Sequence, residues 1–157
     1  MKTLGIRAIG RLPEPWMQEA VHMYEKRLAP FGGVEVTELT EGHKGSAKPD
    51  EEKTRHIEGL ALMKGIPNNA TVVALDAGGV LLTSEKLAQQ IESWTGSGRP
   101  LVFLIGGSWG LDDTVLANAN FILSLGPMTY PHGLARVMLM EQLYRAKMIA
   151  AGREYHK

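Results

Sequence analysis

The sequence contains no cysteine, which excludes disulfides and thiolate zinc sites and agrees with a reducing compartment. It has no net charge, with 17 Lys and Arg against 17 Asp and Glu, so it does not coat nucleic acid by bulk positive potential. The N-terminal MKTLGIRAIGRLPEPW is interrupted by Arg7 and Arg11, too short and too charged for a signal segment or a membrane span. A cytoplasmic location is therefore expected, with no membrane partner. Two nucleotide fingerprints are missing as well. No P-loop lysine follows a glycine-rich turn and no GxGxxG opens a helix, so neither a triphosphate nor an extended dinucleotide is the natural ligand. Repeats and low-complexity stretches do not occur.

What is present suits one globular domain over residues 1–157, with 44% apolar and 22% charged residues. The chain alternates strand and helix signals, which predicts an α/β fold with a mostly parallel sheet between helices. Leu4, Ile6 and Ala8 alternate with polar or small neighbours up to Gly10, a first strand. Glu14 to Leu28 carries Trp16, Ala20, Tyr24 and Leu28 at helical spacing, with Pro30 as the stop, and places Trp16 and Tyr24 in the core rather than on a base. Val34 to Leu39 is a second strand. Thr40 to Asp50 has no apolar anchor and reads as a mobile loop. Its His43, Lys44 and Lys48 are available to a phosphate, an idle solvent loop being the simpler expectation, and His43 has no second metal ligand at useful spacing. Glu51 to Lys64 is a helix with Ile57, Leu60 and Ala61 on its inner face.

Three further strands end in unusual backbone. Thr71 to Leu75 opens into Asp76, Ala77, Gly78 and Gly79, with Asp76 expected to form a turn. Ser84 is the expected cap of a helix bearing Leu87, Ala88, Ile91 and Trp94. The run Leu101 to Ile105 is apolar throughout, as in a strand covered on both faces, and meets Gly106, Gly107 and Gly110. Asp112 is placed to cap a short helix through Val115, Leu116 and Ala119. Phe121 to Leu125 then breaks into Gly126, Pro127, Met128, Thr129, Tyr130, Pro131 and His132, a loop stiffened by two prolines. A helix from about Leu134 to Ala150 and a polar tail finish the chain.

Ligands bind at the carboxyl ends of strands in open α/β sheets. If these strands are neighbours, the turns after Leu75, Ile105 and Leu125 converge there. They offer Leu75, Ile105, Leu125 and Met128 as walls with free backbone amides and carbonyls, a slot for a flat, uncharged heterocycle such as adenine. A rival motif is present: Gly106 to Gly110 matches G-x-S-x-G, with Asp112 or Asp113 and His132 following in the order of a serine hydrolase. Against it, Gly110, Leu111 and Asp112 delay the helix that an elbow starts almost at its serine. The C-terminal region is basic, with Arg136, Arg145, Lys147, Arg153 and Lys157 against Glu141 and Glu154, a face for an anionic partner or simply a solvated helix.

The segments LVFLIGGSWGL, LSLGPMTYPHGLARVMLMEQLYRA and EYHK, with AIGRLPEPW and YEKRL before them, together resemble the SPOUT-class methyltransferases that methylate N3 of a pseudouridine in large-subunit ribosomal RNA. The likeness spans almost the whole chain. It implies a C-terminal deep trefoil knot, S-adenosylmethionine as cofactor, a homodimer, and ribosomal RNA within the ribosome as partner, with no metal. Carried to this sequence, it places the cofactor against Leu75, Ile105, Gly106, Gly107 and the run Leu125, Gly126, Pro127, Met128, Thr129, Tyr130. It makes His132 and His156 candidates for proton handling, Tyr155 a group that stacks on or positions the base, and Arg136 and Arg145 holders of phosphate or of the developing anion. Plainer roles stand beside these: a helix pair of Arg145 with Glu141, and a frayed terminus for Tyr155 and His156. Leu139, Leu143 and Met148, apolar beyond one packed face, are the motive for a dimer. A ribosome-binding factor that keeps the pocket but catalyses nothing is the alternative of a different class.

Overall fold

The computed structural model describes residues 3–155. Five strands form one parallel sheet in the order β2-β1-β4-β3-β5: β1 (Leu4–Ile9), β2 (Val34–Leu39), β3 (Thr71–Leu81), β4 (Leu101–Ile105) and β5 (Phe121–Ser124). Helices α1 (Pro15–Leu28), α2 (Glu51–Met63), α3 (Ser84–Thr95), α4 (Asp113–Asn118) and α5 (His132–Ala150) cover it.

β4 is the axis of the molecule, and all five of its residues are buried. Side chains alternate across a strand, so Leu101, Phe103 and Ile105 enter a core shared with α1, α3 and α5. Val102 and Leu104 enter a second core with Leu62 of α2 and Val115 of α4. Complete burial of a side chain such as Phe103 or Leu104 stabilises the fold by about 1.5–3 kcal/mol. A strand flanked on both sides must be apolar at every position, which is why this run is the plainest strand signal in the sequence.

Several expectations are corrected. Trp16 is 51% exposed, while Tyr24 does pack against the core, beside Tyr144. α1 does end at Leu28, two residues before Pro30, as expected; a 3-10 turn over Ala29–Phe31 follows it, and Gly32, at φ 96°, closes that turn. On α2 the inner face is Thr54, Glu58 and Leu62, and Ile57 and Leu60 point outward. Hydrophobicity misleads there because a buried glutamate takes a place in the inward stripe. β3 does not end at Leu75. After a register shift it resumes, pairing Val80 and Leu81 with Leu123 and Ser124 of β5. Position 79 is glycine by necessity, since a Cβ would stand 2.6 Å from the Ile122 carbonyl oxygen.

The cap of α3 is Thr83, whose hydroxyl accepts the Lys86 amide, and Ser84 is the first helical residue. Asp112 stands at the N-cap of α4 without a side-chain cap bond, engaging Thr114 and His56 instead. α5 begins at His132, two positions before Leu134. Leu139 and Leu143 are fully buried within this chain, so they supply no surplus face for a second copy. No helix among the described residues is long and apolar enough to cross a membrane.

Candidate active site

The register shift within β3 and the carboxyl ends of β4 and β5 open into one cleft of about 230 Å³. β3 contributes Leu75, with Asp76 and Ala77 beyond the expected wall; β4 contributes Ile105, Gly106 and Gly107, with Ser108 and Gly110. From the turn after β5 come Leu125, Gly126, Met128, Thr129 and Tyr130, and from α5 His132 and Ala135. Of the expected cofactor positions, Pro127 alone does not line the cleft.

Each wall is shaped by backbone. Gly106 has no room for a side chain, because a Cβ would lie 2.7 Å from the carbonyl carbon and oxygen of Gly110. Gly107 and Gly110 bridge antiparallel, and the Gly110 amide donates to the Gly107 carbonyl at 3.1 Å, so the chain folds back on itself at Ser108 and Trp109. This turn rules out a nucleophile elbow: α4 starts only at Asp113, and Asp112 is engaged by His56 rather than by a histidine of the cleft. The Asp76 carboxylate accepts the Gly78 amide at 2.8 Å, the turn role expected for it. Ser124, which carries no motif of its own in the sequence, ties two walls together. Its hydroxyl donates to the Ala77 carbonyl at 3.0 Å and accepts the Gly126 amide at 3.0 Å. A serine closing an apolar strand was the available signal.

His132 stands at the start of α5 on the rim of the cleft, its Nε2 3.3 Å from where a Cβ on Gly10 would be. The Thr40–Asp50 loop is not idle. The Gly42 amide donates to the Glu58 carboxylate at 3.1 Å, and the His43 ring packs edge-on against Trp109, centroids 5.4 Å apart. His43 Nδ1 is buried without a hydrogen-bond partner. Among the described residues, no group of three His, Asp or Glu side chains is placed to hold a metal ion.

The remaining expected residues lie elsewhere. Arg136 is 1% exposed, its guanidinium paired with Glu38 and donating to the Gly10 carbonyl at 2.9 Å. That burial corrects the expectation of an arginine offered to phosphate by this chain. Arg145 donates to Glu141 at 2.6 Å, the helix pair weighed as its plainer role. Tyr155 donates to the same carboxylate at 3.2 Å, with its ring against Tyr144 and under the Arg145 guanidinium. Glu141 belongs to a second cleft of about 360 Å³ between α3 and α5, and neither Tyr155 nor Arg145 lines the first. His156 lies outside the described residues.

Burial, with Tyr24 and Glu141 nearby, pushes the Tyr155 phenol up to about 12. It is therefore a neutral donor at physiological pH and not a base. The fold favours the protonated phenol, so its contribution to stability is intact below pH 10.0, its ordinary value, and is lost as pH rises through about 12. A titration of tyrosinate absorbance should show Tyr155 ionising late, a transition that Tyr155→Phe removes.

The family described as "Predicted SPOUT methyltransferase" matches residues 1–156. The chain is 45% identical over 150 residues to a protein of Gluconacetobacter diazotrophicus named ribosomal RNA large subunit methyltransferase H, covering 96% of this chain and 94% of that one. A protein of the same name from Clostridium beijerinckii is 38% identical over 157 residues, covering 98% and 99%. Among solved structures, a "probable methylase family protein" from Haemophilus influenzae Rd KW20 superposes with a TM-score of 0.58 at 12% identity, over 99% of this chain and 71% of that one. At that identity the likeness concerns fold alone.

Proposed function

This chain belongs to the SPOUT methyltransferase family, and on that premise we propose that it methylates N3 of a pseudouridine in large-subunit ribosomal RNA on the ribosome, using S-adenosylmethionine. The observation that carries this reading is one cleft built from the irregularity of β3 after Leu75 and the ends of β4 and β5, with Leu75, Gly106 and Met128 on its walls. S-adenosylmethionine supplies a methyl group on a sulfonium sulfur. The glycine turns fit its adenosyl part: side chains are missing at Gly106, Gly107 and Gly126, so backbone groups reach the ligand, while Leu75, Ile105 and Leu125 give apolar faces. The protein's work is then chiefly orientation. His132, on the rim, accepts the imide proton of the substrate.

The knot belongs to the same reading. α5 packs against both α1 and α3, on the sheet face opposite α2 and α4, although β5, from which it comes, is the edge strand beyond β3. To touch β4 from there the chain returns past β3 from the edge of the sheet, a path that supports threading. A homodimer is supported by different residues from those first considered: Val80, Leu81 and Met128 are exposed at 49%, 65% and 67%. A second copy also accounts for Tyr155 and Arg145 standing away from the cleft of their own chain, since one subunit holds the cofactor while the other faces the RNA.

Calorimetry with S-adenosylmethionine should show binding, and methyl counting on ribosomes from a deletion strain, before and after adding the protein, should show one modification restored. Binding to ribosomes without methyl transfer would favour the non-catalytic factor. Sedimentation should give a dimer at micromolar concentration.

A further inference from the structure

All five strands run parallel, so the ends of β1 and β2 emerge on the same edge of the sheet as the cleft. There they open into a depression of their own, about 520 Å³, whose lining includes Gly10, Arg11, Glu38, Glu41 and Lys44. Gly10 joins it to the cleft. A Cβ at that position would stand 3.3 Å from Nε2 of His132, on the rim of the cleft, and 3.0 Å from Oε1 of Glu41, so the missing side chain keeps a passage between the two.

Two cations stand in this depression with their charge unanswered. Arg11 and Lys44 are both exposed, and among the described residues neither side chain has an ion-pair or hydrogen-bond partner. The acids beside them are engaged: Glu38 pairs with the buried Arg136, and Oε2 of Glu41 lies 3.8 Å from Nε2 of His43. Nor is Lys44 carried on loose chain. Gly42 lies flush on α2, where a Cβ would stand 2.8 Å from the Thr54 carbonyl oxygen, and its amide donates to the buried Glu58 carboxylate. His43 then rests its ring on Trp109, in the turn that walls the cleft, and the Lys44 amide donates to the Glu41 carbonyl at 3.3 Å. Arg11 follows Gly10, whose own amide donates to the Leu39 carbonyl at 2.7 Å. In a chain without net charge, two unpaired cations on anchored backbone beside the cleft mark a place for an anion.

We propose that this depression takes the phosphate backbone of the RNA strand that carries the target nucleotide, with Arg11 and Lys44 on phosphate and the base passing over Gly10 to His132 and the cofactor. The inference rests on the methyltransferase reading, and gives the subunit that holds the cofactor its own grip on the strand. Phosphate contacts fix register and carry no sequence information, so these two side chains place the nucleotide and leave the choice of base to the cleft.

In the full-length protein acting on ribosomes, Arg11→Ala and Lys44→Ala should each raise KM for ribosomes by about 10-fold or more. Each should also flatten the fall of log affinity with log salt by about 0.7 to 0.9, with kcat at saturating ribosomes and the Kd for S-adenosylmethionine nearly unchanged. Arg11→Lys should keep the salt slope. Arg99→Ala removes an exposed cation just before β4, at the opposite edge of the sheet, and should change neither quantity. The absence of cysteine permits a direct probe: Lys44→Cys carrying a short photoactivated crosslinker, at saturating concentration, should join ribosomal RNA close to the methylated nucleotide. Unchanged KM and slope in either alanine variant, an equal loss in Arg99→Ala, or a crosslink to ribosomal protein alone would overturn the proposal while leaving methyl transfer intact. Failure of the wild-type protein to bind S-adenosylmethionine would bring down the parent reading instead.

Discussion

Gly106→Ala is expected to weaken S-adenosylmethionine binding by about 100-fold or more and to abolish methyl transfer. The added carbon would meet the backbone of Gly110 at 2.7 Å and the Leu111 amide nitrogen at 3.1 Å. Backbone cannot swing aside as a flexible side chain does, so the whole Gly107–Gly110 turn must shift, by the better part of an ångström. Displacements of that size in positioning groups cost about two orders of magnitude. Gly5→Ala is the matched control. It lies in β1, where an added carbon finds its nearest neighbour at 3.7 Å, an ordinary contact, and binding should be unaffected. Calorimetry on the two variants, with thermal unfolding to confirm that each is folded, decides the matter. Equal affinity in both would mean that the turn after β4 does not touch the cofactor.

Arg136→Ala should lower stability by about 3 kcal/mol, near the low end of the range for removing one member of a buried pair because Glu38 is 41% exposed. For a domain of this size, that is a fall in Tm of about 6 to 12 °C. The substitution leaves the Gly10 carbonyl without its donor and a void among Leu12, Val21 and Val36. Arg136→Lys should rescue little, since an ammonium lacks the fork that reaches Glu38 and Gly10 together. Ribosome affinity of the folded protein should stay close to wild type. A variant with unchanged Tm but weakened ribosome binding would instead make Arg136 an RNA contact.

The contrast between these two positions shows which parts of the molecule the sequence makes legible. The cleft is written in backbone: glycines and prolines at strand ends announce special geometry whatever packs around them, and Leu75, Ile105 to Gly107 and Leu125 to Tyr130 could be placed by topology alone, Pro127 excepted. The all-apolar β4 gave the centre of the sheet for a similar reason. Charged side chains carry no such mark. Arg136 and Glu58 are both interior, and nothing local distinguishes them from solvated neighbours, because their partners are Glu38 and Gly10 in one case and Gly42 in the other, far away along the chain. The same ambiguity turned α2 the wrong way round. Leu139 and Leu143 resemble surplus apolar surface because α5 is apolar nearly all round, and a helix in isolation does not reveal that α1 and α3 flank it.

That flanking has a consequence for biosynthesis. Leu139, Met140, Leu143 and Ala146 fill the space between the first helix and the third, so the larger of the two cores stays open until α5 has been made. Contacts between segments so distant along the chain are slow to form. Nascent chains halted before residue 132 should therefore remain protease-sensitive, and resistance should appear only once α5 has cleared the ribosome.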